Sequence, residues 1–182
     1  MTIHTNSGLK LYMESAIAAA TTITAVTKAA PGVFSAAGHT FINGDVVLLE
    51  VQGMVELNGN LYKIVNQAAG TFQLAGIDGA TGIDTTLFST FTSGTAKKIT
   101  LGTSITGVQE FNFAGGDIKT VDTTTVNDVV DTQIVVGATA QSADMTMQWD
   151  PSAAAQQAML AAFRTRANKG FKVQWPDGAF VL

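Results

Sequence analysis

Cysteine is absent from the 182-residue chain, which excludes disulfide bonds, thiolate catalysis and zinc sites built on cysteine. Charge is also scarce: charged residues make up 13% of the sequence, against about 25% in a typical soluble domain. The net charge of −4 argues against the basic surface that binds a nucleic-acid backbone. So weakly charged a surface suits a protein that other subunits cover, and it also suits a secreted β protein.

Targeting signals and long apolar segments are missing as well. The N-terminal sequence MTIHTNSGLKLYMES has no basic region followed by an apolar core, so it does not predict a signal peptide. The apolar stretch AIAAA at residues 16–20 leads directly into threonines. It is ambiguous between helix and strand, and it is far shorter than the roughly 20 apolar residues that span a bilayer. We therefore expect a soluble protein made in a cytoplasm, without a membrane partner.

Motifs for catalysis and cofactor binding are also missing. The sequence has no Gly-Lys pair of a phosphate-binding loop, no G-x-S-x-G, no H-E-x-x-H and no G-x-G-x-x-G after a strand. His4 and His39 are far apart and are interpreted as lone structural histidines. Four aspartates that could suggest a calcium site match no EF-hand spacing and are interpreted as solvated loop residues: Asp117, Asp122, Asp128 and Asp131. We expect no enzyme activity, no metal and no cofactor.

Alternating apolar and polar residues predict β-strands over most of the chain. The Asn-Gly pairs at 43–44 and 58–59 predict two-residue hairpin turns, because Asn-Gly tolerates the positive φ that these turns require. Residues 79–94 are rich in Gly, Thr and Ser and predict a loop with at most a short strand at 86–91. Met145, Met147 and Trp149 alternate with polar residues, so they are expected on the core side of a strand.

One segment, DPSAAAQQAMLAAFRTRANKG at residues 150–170, predicts an α-helix at about 151–168. Asp150 is expected to be its N-cap, Pro151 its first residue and Gly170 the residue that ends it. Arg164 and Arg166 lie near its C-terminal end, where the helix dipole favours positive charge. An apolar stripe at helical spacing predicts the face that packs on a sheet: Ala155, Ala158, Met159, Ala162 and Phe163.

The order of elements in residues 99–182 resembles the tail tube proteins of long-tailed bacteriophages. The matching features are a strand into VDTTTVND, a loop, a strand ending in QWDP, the helix and a following strand. The resemblance implies a mainly β protein with a β-sandwich or barrel core and one flanking helix. It also implies sixfold rings that stack into a tube around a channel for DNA. Such proteins usually continue with further strands, so the end at Leu182 leads us to expect a truncated subunit.

A second resemblance covers residues 31–79. This segment is similar to a small β module inserted in many phage structural proteins and to the half-domain beside the catalytic cysteine of ubiquitin-activating enzymes. Without a cysteine, nothing of ubiquitin chemistry carries over. The predicted organisation is an N-terminal arm or core strand at 1–20, the inserted module and a linker at 21–98, and the tube core at 99–182.

The tube resemblance implies contacts between subunits through an N-terminal arm at residues 2–12 and a stacking loop at residues 123–133. The basic end of the helix is expected to meet acidic groups of a neighbour. The candidate contact residues are Thr2, Ile3, Leu9, Leu11, Thr123, Thr124, Thr125, Val126, Asn127, Asp128, Val129, Val130, Asp131, Arg164 and Arg166.

The implied partners are copies of the chain and other tail proteins. DNA would pass through the channel without specific binding, since phosphate binding relies on lysine and arginine. The expected location is the virion, after assembly in the cytoplasm of the bacterial host. Alternatives are a head decoration protein, a tail terminator, a surface adhesive module or a carbohydrate-binding β module. The last would need a row of exposed aromatic residues, whereas aromatics make up only 8% of the sequence.

Overall fold

The structure is a computed structural model that describes residues 8–76, 79–114, 117–123, 130, 133–138 and 142–182. Among the described residues, 47% lie in strands and 10% are helical, which confirms the predicted mainly β fold with a helix beside it. The elements are β1 (Lys10–Met13), β2 (Ala16–Ile23), β3 (Ala25–Val26), β4 (Phe34–Ser35), β5 (Val46–Gln52), a 3₁₀ turn (Val55–Leu57), β6 (Leu61–Ala68), β7 (Thr71–Leu74), β8 (Ser93–Thr100), β9 (Thr103–Ile105), β10 (Val108–Ala114), β11 (Ile118–Asp122), β12 (Gln133–Ala138), β13 (Ser142–Met147), α1 (Ala154–Thr165), β14 (Phe171–Gln174) and β15 (Phe180–Val181).

Residues 16–100 form a seven-stranded sheet, in the order β2-β8-β5-β6-β7-β4-β3. The predicted module boundary at residue 21 therefore falls inside β2, and the ambiguous residues 16–20 belong to a strand that pairs with β8. This unit, which we call the β module, has its own core of buried side chains: Ile23, Phe34, Ala36, Phe41, Val47, Leu49, Val51, Met54, Leu57, Ile64, Phe72, Leu74 and Ala96.

Aromatic rings occupy the centre of the β module. Phe72 is fully buried; its ring stacks on Phe34 with centroids 5.4 Å apart and meets Phe41 edge-on at 5.4 Å. His39 stacks on Phe41 at 5.3 Å, and its Nε2 lies 3.2 Å from the carbonyl oxygen of Thr71. These contacts support the interpretation of His39 as a structural histidine.

The Asn-Gly pairs both lie in turns, with Gly44 at φ +96° and Gly59 at φ +77°. The two turns are therefore confirmed, but neither is a two-residue hairpin: the strand before Asn43-Gly44 ends at Ser35, and the link between β5 and β6 runs from residue 53 to 60 and contains the 3₁₀ turn. That turn buries Leu57 completely, and Asn58 Oδ1 accepts a 2.9 Å hydrogen bond from the Val51 N–H. Burial of Leu57 and this bond account for the longer connection.

The loop predicted at residues 79–94 is present as far as β8, and its described residues 86–91 contain no strand. Thr85 holds it in place: the side chain is fully buried, and its hydroxyl donates a 2.7 Å hydrogen bond to the Thr27 carbonyl. A buried hydroxyl with a satisfied donor fixes the loop against the β module.

The second core lies on a four-stranded antiparallel sheet, in the order β15-β14-β1-β9. Its buried side chains are Leu11, Met13, Ile105, Ala155 and Val173. Helix α1 packs over β9, with Ala158 and Met159 against the same core. Trp149 is 61% exposed, so its predicted core position is wrong: β13 ends at Met147, and the strand alternation does not extend to Trp149.

The helix is confirmed in type, but both predicted ends are wrong. Asp150 does not cap it, because Asp150 Oδ1 accepts hydrogen bonds from the Ser152 N–H at 2.9 Å and the Ser152 hydroxyl at 2.7 Å. These bonds form a separate turn, so the helix starts at Ala154. It ends before Gly170 because Arg166 adopts the left-handed conformation, with φ +54°.

Gln156, in the first turn of α1, joins the helix to the chain before it. The side chain is 2% exposed; its Oε1 accepts a 2.9 Å bond from the Asp150 N–H, and its Nε2 donates a 2.8 Å bond to the Gln148 carbonyl. A buried amide with both ends bonded fixes one orientation of the helix.

Gln156→Leu is expected to lower the free energy of unfolding by about 1–3 kcal/mol, because it leaves the Gln148 carbonyl and the Asp150 N–H without these partners. Urea denaturation measures the change. The matched control is Gln157→Leu, since Gln157 is exposed and its replacement should cost less than about 1 kcal/mol. If both variants lowered the free energy of unfolding by the same amount, the role assigned to Gln156 would be contradicted.

The β module and the four-stranded sheet meet at residues 14–15. Glu14 follows β1, is 6% exposed, and accepts bonds from Lys169 Nζ at 2.7 Å and the Gly170 N–H at 3.3 Å. Its own N–H donates to the Gly170 carbonyl, and the Ser15 N–H donates to the Thr100 carbonyl, both at 2.8 Å. The points where the chain enters the β module, at Ser15, and leaves it, at Thr100, are therefore adjacent.

Candidate assembly surfaces

The predicted contact residues are only partly within the described structure. The ones outside it are Thr2, Ile3, Thr124, Thr125, Val126, Asn127, Asp128, Val129 and Asp131. For these the contact role stays a prediction.

The described part of the predicted N-terminal arm, residues 8–12, belongs to the chain's own fold. Leu11 lies in β1 and is 4% exposed, opposite Val173 of β14 and Ile105 of β9. Leu9 packs against the same core. Since an apolar side chain buried in its own core is not available to a neighbour, we remove Leu11 from the contact residues.

The predicted stacking loop connects the two strands of a ribbon, β11 and β12. Val121 pairs with Ile134 across the ribbon; the two side chains are 49% and 58% exposed, and Val130 in the loop is 73% exposed. Thr123 is exposed too. None of these residues belongs to either core, so the ribbon presents apolar side chains to solvent.

The basic end of helix α1 is exposed at both Arg164 and Arg166, and its contact with a neighbouring subunit stays a prediction. Phe163, predicted on the core face, is instead 81% exposed, and Leu160 is 37% exposed. We call Leu160, Phe163 and Arg164 the helix knob. The apolar stripe is therefore buried only in its first half, where Ala155, Ala158 and Met159 reach the sheet.

A groove of about 1000 Å³ separates the β module from the hairpin of β14 and β15. Its walls are mostly apolar and include Leu61, Tyr62, Ile83, Trp175, Phe180 and Val181. Sequence reasoning missed this groove because its two walls come from distant parts of the chain. The available signal was the apolar stub after Pro176-Asp177-Gly178, which marks β15 as an edge strand.

Perturbed titratable groups are explained by local structure. Bonds from the Thr86 hydroxyl and N–H to Asp84 lower the pKa of the Asp84 carboxyl. The pKa of Glu56 is lowered by its own N–H and by the N–H of Ser89, and burial raises the pKa of Tyr62. Asp84 thereby stabilises a local turn, and Glu56 joins the 3₁₀ turn to the loop at Ser89.

Across the described ranges, no group of three or more His, Asp or Glu side chains converges to hold a metal ion. Asp117 and Asp122 flank or lie on β11, whereas Asp128 and Asp131 are outside the described residues. Among the helical residues that the structure describes, none forms a helix with the length and apolar character needed to cross a membrane.

Comparison with known protein families gives a match over most of the chain. The family described as phage tail tube protein, TTP, matches residues 52–182; a search of curated proteins gave no match. The matched range begins at the last residue of β5 and contains the two-stranded sheet of β10 and β13, the ribbon of β11 and β12, the helix, and the hairpin of β14 and β15. The likeness of residues 31–79 to the ubiquitin-activating enzymes gains no support from this match and stays a prediction. Because the matched range covers well over half of the sequence, the chain belongs to the phage tail tube protein family.

Proposed function

We propose that this phage tail structural protein forms hexameric rings, and that the rings stack into a tube that conducts DNA. The family supplies the tail tube assignment. Low charge, with only 13% charged residues, supports dense packing of copies because it limits repulsion between them. The net charge of −4 suits a channel that lets DNA pass, since phosphate binding would need a basic lining.

The ribbon of β11 and β12 carries the proposal of stacking. A two-stranded ribbon alone is marginally stable in water, and exposed apolar side chains in a cluster mark surfaces that bind protein. Val121 and Ile134 form such a pair. Packing on a neighbouring ring would remove this pair from water and stabilise the ribbon.

The double variant Val121→Asp/Ile134→Asp is expected to abolish tube formation while leaving the monomer folded, because it places two charges on the proposed contact face. Negative-stain microscopy and sedimentation at high protein concentration measure assembly. The matched control is Val55→Asp/Leu87→Asp, which adds the same charge at two exposed apolar side chains of the β module, away from the ribbon. Stacking through this face would be contradicted if Val121→Asp/Ile134→Asp still formed tubes, or if the control lost tube formation to the same extent.

Neither catalysis nor a cofactor forms part of this proposal. The virion is the expected location, and other tail proteins are the expected partners at the ends of the tube. Hollow tubes with sixfold symmetry in micrographs of the unmodified chain would support the assignment, and a monomer at every concentration would contradict it.

A further inference from the structure

We propose that copies of this chain join head to tail, with the helix knob of one copy seated in the groove beside β15 of the next copy. This inference rests on the self-assembly proposed above and names the two surfaces that would meet within a ring. The occupant of the groove is thus a second copy of the chain.

The helix knob has the chemistry of an interface anchor. Phe163 is 81% exposed although it belongs to a helix whose first half is packed on the core, and Leu160 lies one turn before it. Residues three apart on a helix share a face, so the ring and the leucine form one apolar projection. Arg164 is exposed beside them. Aromatic and arginine side chains are the types most enriched among residues that dominate binding.

The groove offers a complementary surface. Its volume of about 1000 Å³ and its lining of aliphatic and aromatic side chains can take a phenylalanine and a leucine together. Asp84 also lines it; its Oδ1 is bonded to Thr86, and its carboxylate charge complements Arg164. Lys63 also lines the groove, where its Nζ donates a 2.9 Å bond to the Gly79 carbonyl and lies 5.5 Å from the centroid of the Phe180 ring.

The positions of the two surfaces favour assembly between many copies. The helix packs over β9 and the groove lies beside β15, and these are the two edge strands of the four-stranded sheet. A contact between two different surfaces leaves a free groove on the copy that supplies the knob and a free knob on the copy that supplies the groove. Repetition of such a contact closes a ring when the rotation allows it, as the proposed function requires.

The first test is Phe163→Asp. We expect the protein concentration needed for assembly to rise at least about tenfold, because loss of a central aromatic anchor has effects of that size, while the monomer melts as the parent does. The matched control is Val55→Asp, since Val55 is 65% exposed and lies in the 3₁₀ turn, outside knob and groove. The control should assemble at the parental concentration.

The second test uses the absence of cysteine in the parent chain. An Ala167→Cys protein, which keeps the knob, is mixed with an Ala179→Cys protein and is expected to give a covalent heterodimer with a short bismaleimide, because Ala167 is exposed beside Phe163 and Ala179 is exposed and lines the groove. Mixing Ala167→Cys with Val55→Cys controls for random collision, and Ala179→Cys alone controls for pairing of two grooves.

The possible outcomes separate this inference from the function on which it rests. Loss of assembly in Phe163→Asp together with the specific heterodimer supports it. Tubes from Phe163→Asp at the parental concentration, or a heterodimer no more abundant than in the Val55 mixture, would overturn it and leave the tube function in place, with another segment in the groove. A parent chain that never assembles would overturn both.

Discussion

Glu14→Ala is expected to lower the free energy of unfolding by about 2–4 kcal/mol. Glu14 is 6% exposed, and its two oxygens accept bonds from Lys169 Nζ at 2.7 Å and the Gly170 N–H at 3.3 Å. Removing one partner of a buried ion pair leaves the other uncompensated. The side chain of Lys169 is 33% exposed, so water recovers part of the loss. Urea denaturation of the full chain gives the change.

The chain supplies a matched control for this prediction. Lys97 and Glu50 also lie 2.7 Å apart, but the Glu50 side chain is 50% exposed, and an exposed pair contributes at most about 1 kcal/mol. Glu50→Ala should therefore cost much less than Glu14→Ala. A second variant, Glu14→Gln, keeps an oxygen for the Gly170 N–H and should fall between the two. If the alanine variants at positions 14 and 50 lost the same free energy of unfolding, burial would not strengthen the contact of Glu14 with Lys169 and Gly170.

Phe72→Ala is expected to cost about 3–5 kcal/mol, the usual range for removing a buried phenylalanine. Phe72 is fully buried and contacts Phe34, His39 and Phe41 with ring centroids 5.4–5.6 Å apart. Its removal would open a cavity between rings that come from three segments of the β module. Thermal and urea unfolding of the purified protein measure the loss.

The control for Phe72→Ala is Leu87→Ala. Leu87 is 95% exposed, so its truncation removes almost no packing and should change stability by less than about 0.5 kcal/mol. If Phe72→Ala also cost less than about 1 kcal/mol, the aromatic cluster would not be the packed centre of the β module.

Local sequence patterns predict the secondary structure well where it depends only on residues that are close together in the sequence. Alternation predicts the strands, and Asn-Gly pairs predict turns, because both depend on a few neighbouring residues. The start of the helix is different: Asp150 and Pro151 carry the signals of a cap, but Ser152 competes for the same carboxylate oxygen. Sequence alone does not say which hydrogen bond forms.

The candidate surfaces show the limit of periodicity. Helical spacing correctly groups Ala155, Met159 and Phe163 on one side of α1, yet it does not show how far the sheet beneath them extends. Phe163 lies in the last turns of the helix, and its ring is in solvent. Periodicity does not predict the groove either, because β6 and β15 are far apart in the sequence and become neighbours only in the folded chain.

The chain enters and leaves the β module at adjacent positions. Residues 16–100 therefore form a folded unit between the two strands of a β-hairpin. Strands β1 and β9 pair directly, with Met13 opposite Thr103, so the four-stranded sheet contains a hairpin whose two strands are connected by a folded unit instead of a turn. The ends of that unit are held together by its own ladder of β2 and β8, so the sheet bears little of the entropy of closing a long loop. A change of loop length inside residues 16–100 would therefore leave the register of β1 and β9 unchanged.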